Sequence, residues 1–192
     1  MELVFTEEDI CVIDDAVTSD ELIRINRQLS GECWRYGWPV NLAPHARPCW
    51  HSFIVGRKRP EGLCAVDELK SHEQWGFLVD FWQRIKSTHM PTAILLGVYA
   101  NGQTVGQDAP IHRDNKVDES GLTVVMFCNE YWPSSWGGEL VFYDHRKENI
   151  LKSVLPKPGR IVIFNGHVPH GARSPAVTCD QLRMTLAFKT II

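Results

Sequence analysis

The run Leu182-Arg183-Met184-Thr185-Leu186-Ala187-Phe188 constrains the fold more than any other stretch of this chain. In an extended segment residues i and i+2 share a face, so Leu182, Met184, Leu186 and Phe188 make one apolar ladder. Arg183, Thr185 and Ala187 make the other. An arginine among small neighbours is odd for an exposed strand. It suits the inside of a barrel, where its planar fork meets a carboxylate through two parallel hydrogen bonds. A second strand is legible at Ile161-Val162-Ile163-Phe164, apolar, β-branched and entered from Pro158-Gly159.

The triplet His112-Arg113-Asp114 puts an imidazole and a carboxylate two residues apart, on one side of an extended segment. A third ligand is available just past the strand at 161–164, in Asn165-Gly166-His167-Val168-Pro169-His170-Gly171. Two histidines and a carboxylate on one face of an ion leave the opposite face open, the arrangement of non-haem Fe(II) oxygenases. Either His167 or His170 is placed to reach the ion; the Pro169-His170 step and the spacing to Arg183 favour His170. The same triplet resembles the catalytic loop of protein kinases, but no Gly-x-Gly-x-x-Gly precedes it and no Asp-Phe-Gly follows it.

These pieces occur in an order that resembles the 2-oxoglutarate and Fe(II)-dependent oxygenase superfamily, and within it the prolyl 4-hydroxylase-like branch. Tyr99 is followed by His112-x-Asp114, Thr123-Val124-Val125-Met126-Phe127-Cys128-Asn129, Gly137-Gly138-Glu139-Leu140, Phe164 with Pro169-His170, and Arg183-x-Thr185. The opening Ile10-Cys11-Val12-Ile13-Asp14-Asp15-Ala16 resembles the N-terminus of that branch. The resemblance implies a mainly β fold with flanking helices, a double-stranded β-helix or jelly-roll barrel of the cupin kind. It implies His112, Asp114 and His170 as iron ligands, Arg183 as anchor of the 2-oxoglutarate distal carboxylate, and Thr185 and Tyr99 as further cosubstrate contacts. Lys189, on the same face as Arg183, is the next candidate anchor. The implied cofactors are Fe(II), 2-oxoglutarate and O2, and the implied reaction is hydroxylation of an unactivated C–H. The aspartate at 114 argues against the superfamily's halogenases, which lack that carboxylate.

With 192 residues, 44% of them hydrophobic, the chain is expected to form one oxygenase domain over 1–192. Residues 1–90 then supply helical support and mouth loops, and 91–192 the barrel core. A net charge of −3 gives no footprint for nucleic acid, and the basic run Arg57-Lys58-Arg59 is short. No stretch approaches the roughly 18 apolar residues of a membrane span. Glu2, Glu7, Glu8 and Asp9 stand where a signal peptide carries positive charge, and six cysteines lack any Cys-x-x-Cys pairing. The expectation is a cytoplasmic protein with free thiols, a monomer or homodimer, acting on a small molecule without nucleic-acid or membrane partners.

Thr18-Ser19-Asp20-Glu21 has capping-box form ahead of Leu22, Ile25 and Leu29. Ser71-His72-Glu73-Gln74 offers a second such start before Trp75, Leu78, Phe81, Trp82 and Ile85. Between them lie two spans rich in Trp, Arg and His, which point to Trp34, Arg35, Trp38, Arg47 and Trp50 as substrate contacts. Tyr131-Trp132-Pro133-Ser134-Ser135-Trp136 reads as a lid, adding Trp136 to that set. The mouth suits a small polar or amino-acid-like metabolite in biosynthesis, with a peptidyl-prolyl hydroxylase as the alternative. A cupin-like metal enzyme or a non-catalytic binding module are readings of another class; only the oxygenase gives a visible charge-transfer band with Fe(II) and 2-oxoglutarate.

Overall fold

A computed structural model describes residues 6–38, 48–56 and 64–192. Its strands are β1 (Ile10–Ile13), β2 (Arg35–Trp38), β3 (Cys49–Val55), β4 (Ile94–Gln103), β5 (Leu122–Phe127), β6 (Leu140–Tyr143), β7 (Ile150–Val154), β8 (Ile161–Asn165), β9 (His170–Ala172) and β10 (Arg183–Ile191). Its helices are α1 (Ser19–Leu29), α2 (Val66–Ser71) and α3 (Leu78–His89). Seven strands form one sheet in the order β1-β8-β5-β10-β4-β3-β2, and three form a second in the order β7-β6-β9. All pairings are antiparallel. From β5 onward the chain passes repeatedly between the sheets, which makes the jelly roll. Residues 1–90 thus supply three strands of the larger sheet besides the helices.

The alternation along β10 decides how the layers stack. Met184, Leu186 and Phe188 point to the helices, where Phe188 packs against Trp82 and Phe81 with ring centroids 6.3 and 5.3 Å away. Ile25, Leu29, Leu69 and Leu78, all fully buried, complete this outer core. A second apolar cluster lies between the two sheets: Ile10, Phe127, Leu140, Phe142, Val154, Val162, Phe164 and Val168. It fills the β1–β8–β5 side of that space and leaves the β10–β4–β3 side open.

The capping box at α1 forms as its residues predict. Thr18 Oγ1 accepts from the Glu21 amide at 3.2 Å, and Glu21 accepts from the Thr18 amide at 2.9 Å. The second expected helix start does not. The Ser71 hydroxyl donates backward to the Glu68 carbonyl at 3.1 Å instead of accepting from a residue ahead, so Ser71 ends α2. A turn at Trp75 then opens α3 at Leu78. The basic run Arg57-Lys58-Arg59 lies outside the described residues.

Candidate metal and cosubstrate site

His112 and His170 are placed by the backbone. Each donates its amide to the other's carbonyl at 2.9 Å, the closed pairing of an antiparallel ladder, so their side chains rise together. Their rings lie 4.3 Å apart. Asp114 follows two residues later, its amide donating to the Gly166 carbonyl at 2.8 Å. A Cβ at Gly166 would stand 2.2 Å from the Asn115 side-chain oxygen, so a larger residue there would displace that side chain. Side-chain donor atoms of His112, Asp114 and His170 all come within 4.8 Å of one another.

Both imidazoles are aimed from behind. His112 Nδ1 lies 2.9 Å from the Pro110 carbonyl and His170 Nδ1 2.9 Å from the Val168 carbonyl, so each Nδ1 carries the proton. The Nε2 atoms are left free toward Asp114, 3.6 Å from Oδ1 and 3.5 Å from Oδ2. Burial pulls the His170 pKa down to about 4, which keeps the ring neutral at pH 7. Burial alone would raise the Asp114 pKa, but His170 and Lys189 outweigh it and hold the carboxyl well below its usual range. Thr123 donates to Asp114 Oδ2 at 2.7 Å, and Lys189 contacts the same oxygen. His167 is turned elsewhere, its Nε2 2.7 Å from the Glu119 carbonyl.

A cavity of about 280 Å³ runs from this cluster along the inner face of β10, past Lys189, Ala187 and Thr185 to Arg183. Arg183 is 2% exposed. Its Nε donates to the Gly138 carbonyl at 2.7 Å and its Nη1 to Gln103 Oε1 at 2.9 Å, with the Phe127 ring beneath the guanidinium. Nη2 is buried with no partner. Burial lowers the arginine's pKa to about 10, so it stays charged at pH 7, and it has no ion-pair partner among the described residues. Gly138 (φ +77°) permits the close approach; a Cβ there would meet Arg183 Cδ at 3.0 Å. Tyr99 lines the cavity, its phenol pushed up from its ordinary pKa by burial and by Asp114.

Among the described residues, the expected substrate contacts are not brought to this cavity. Trp34 donates its indole N–H to the Leu29 carbonyl at 2.6 Å and packs on the outer core. Arg35 lies on β2 opposite His51 and lines a separate polar pocket with Cys33 and Ser52. Trp50 faces away from the cavity-lining Cys49 and packs on Tyr36, ring centroids 5.0 Å apart. Arg47 lies outside the described residues, as does the side chain of Trp38 in β2. Trp136 packs edge-on to Trp132, whose ring lies beside Gly138, and neither tryptophan lines the cavity. Cavity-lining residues that sequence reasoning passed over are Cys49, Phe53, Asn101, Gln103 and Gln107. The odd positions of Tyr99-Ala100-Asn101-Gly102-Gln103 carried a signal, because they are the polar face of an otherwise apolar strand.

Residues 96–188 match the family model of the 2OG-Fe(II) oxygenase superfamily. No curated protein matches the sequence. Among solved structures, the chain is similar to a prolyl hydroxylase from Trichoplax adhaerens in complex with a hypoxia-inducible-factor peptide fragment. The TM-score is 0.67 at 16% identity, over 95% of this chain and 83% of that one. A Pseudomonas putida prolyl-4-hydroxylase gives 0.63 at 17% identity, over 96% and 93% of the two chains. EvdO2 from Micromonospora carbonacea var. aurantiaca, complexed with 2-oxoglutarate, gives 0.59 at 15%, over 100% and 93%. At such identities the solved structures establish the jelly-roll fold. Just under half of the chain thus matches the model of the 2OG-Fe(II) oxygenase superfamily, a family whose enzymes use Fe(II), 2-oxoglutarate and O2.

Proposed function

We propose that the protein hydroxylates an unactivated C–H of a small polar, amino-acid-like metabolite, with His112, Asp114 and His170 holding Fe(II) and Arg183 holding 2-oxoglutarate. The observation that carries this reading is the unpartnered Arg183 Nη2, buried at the end of a cavity whose other end holds the three convergent donors. A buried cation with an unused donor is costly unless a ligand supplies the anion. The donor set fits the metal as well: two imidazoles and one carboxylate suit Fe(II), and their carbonyl-held Nδ1 atoms fix the rings for it.

When bound, the iron supplies the oxidative chemistry, in which O2 and 2-oxoglutarate give hydroxylated product, succinate and CO2. The protein's part is placement. Arg183, with Nε and Nη1 already committed, presents Nη2 to the distal carboxylate, and Thr185 and Tyr99 line the path between anchor and metal. Tyr99, kept protonated, is a hydrogen-bond donor in that wall. The apolar cluster of Phe142, Phe164 and Val168 backs His170 and keeps water from that side. A cavity of this size favours a small substrate. The reading is tested by adding 2-oxoglutarate to the anaerobic Fe(II) protein. A weak visible charge-transfer band and succinate release in air are expected, and their absence from correctly folded, iron-replete protein removes the proposal.

A further inference from the structure

Lys189 has no part in the cosubstrate role given to Arg183, yet it stands inside the same cavity. The two cations share the inner face of β10 with Thr185 and Ala187 between them. At about 3.3 Å per residue their Cα atoms are roughly 20 Å apart, too far for one dicarboxylate to serve both while also reaching the metal donors. Lys189 instead lies against Asp114 and donates to Thr123 Oγ1 at 3.1 Å. Exposure grows along the cavity from 2% at Arg183, through 9% at Asp114, to 22% at Lys189. Solvent therefore reaches the Lys189 end, where a substrate would arrive.

The charges of the cavity complete the argument. Of the other charged residues lining it, Arg113 is turned away, its guanidinium donating to the carbonyls of His167 and His145 at 3.0 and 2.8 Å. Asp108 is exposed and accepts from the Ser174 amide. The interior therefore holds Arg183, Asp114 and Lys189. Resting on the proposed function, the distal carboxylate of 2-oxoglutarate matches Arg183, and its other carboxylate together with Asp114 matches a divalent iron. With those anions counted, the interior keeps one positive charge in excess, at the end where Lys189 shares Asp114 with the metal site, in a confined, low-dielectric space.

We infer that Lys189 is a specificity-determining residue that receives a single carboxylate of the substrate, so that the enzyme prefers small monocarboxylates to their neutral counterparts. An ammonium on a flexible stem is a point charge suited to one carboxylate, and it places the C–H bonds near that carboxylate over the metal donors. Thr123 limits the swing of the ammonium by accepting one of its protons.

The test uses fluorine NMR on the full chain loaded anaerobically with Fe(II) and 2-oxoglutarate. Trifluoroacetate and trifluoroacetamide have nearly the same shape and differ in charge, and paramagnetic iron broadens the resonance of whichever dwells beside it. The expected result is roughly fivefold greater broadening of the anion, the ratio of a partly exposed ion pair. Lys189→Arg should keep the preference, and Lys189→Met should reduce the anion to the level of the amide. Equal broadening in the parent, or a preference that survives in Lys189→Met, overturns the inference, and the parent comparison decides alone if Lys189→Met does not fold. A normal charge-transfer band with charge-blind probes would remove only the role of Lys189, whereas absence of the band would remove the oxygenase reading with it.

Discussion

The two faces of β10 are equally buried and do opposite work. Phe188 and Leu186, both 0% exposed, meet only aromatic and aliphatic side chains beneath the helices. Arg183, 2% exposed, meets a carbonyl, an amide oxygen and an aromatic ring, and still has one donor to spare. Burial therefore does not separate core from site here; satisfaction does. On the helix face every contact is complete within the chain. On the cavity face the chain leaves a charge and a donor for something it does not itself contain.

The comparison breaks most sharply at Asp114. Asp114→Ala should abolish iron binding and 2-oxoglutarate turnover while the far-UV spectrum and melting temperature stay close to the parent's. His170→Ala should do the same, and His167→Ala should keep its iron. A metal-content assay that found iron in Asp114→Ala would end the assignment of the three donors.

Phe188→Ala probes the other face. Removing a fully buried ring that packs on Trp82 and Phe81 should cost about 3–5 kcal/mol of stability, read by urea titration. The fraction that remains folded should bind 2-oxoglutarate with the parent's affinity. A loss of affinity in proportion to the loss of stability would mean that the two faces are coupled.

Arg183→Ala should lower 2-oxoglutarate affinity by two to three orders of magnitude, about 3–4 kcal/mol, because the ligand's carboxylate is left unpaired. Arg183→Lys should recover part of this, since an ammonium keeps the charge but cannot keep the fork that Gly138 and Gln103 hold in place. Iron content should be unchanged in both. Titration against the iron-loaded protein, followed by the charge-transfer band, measures it; parent-like binding in Arg183→Ala would move the anchor elsewhere.

A surface pair away from both faces sets the lower end of the scale. Asp14, just after β1, accepts from Arg160 Nε and Nη2 at 2.6 and 3.1 Å and from Lys157 at 2.9 Å. Those bonds, Arg160 first, hold its carboxyl well below the usual range. Asp14→Asn should cost up to about 1 kcal/mol at pH 7, because the side chain is one-third exposed. A depressed carboxylate stabilises the fold above the pKa of the unfolded chain, near ~3.9, and loses that contribution as pH falls toward its folded value. Parent and variant should therefore converge in acid; a gap that widened there would contradict the pairing.

Much of the site was legible in one dimension. His112 and Asp114 are two residues apart, and Arg183, Thr185 and Ala187 alternate with apolar partners, so strand geometry alone puts each set on one side. Lys189 continues the same parity and was legible as a member of that face, though not as a neighbour of Asp114. The spacing to Arg183 favoured His170 over His167, and the structure adds a physical reason. His170 pairs with His112 through the backbone, and His167 is turned to the Glu119 carbonyl. The aromatic-rich spans misled for a related reason. Trp34 and Trp50 stand near cavity-lining residues in sequence, but their hydrogen bonds and ring contacts turn them outward.

By itself, then, the sequence determined periodicity: which residues of a strand share a face, and which candidate ligands come as a pair. Those properties depend on backbone geometry over a few residues, and they hold wherever the segment sits. The tertiary structure alone decided which faces meet. It set Gln103 and Gly138 around Arg183, Lys189 and Thr123 against Asp114, and Trp132 beside Gly138. These are contacts between residues far apart in the chain, chosen by cross-strand register and by packing between sheets, and no local pattern encodes a partner that lies on another strand.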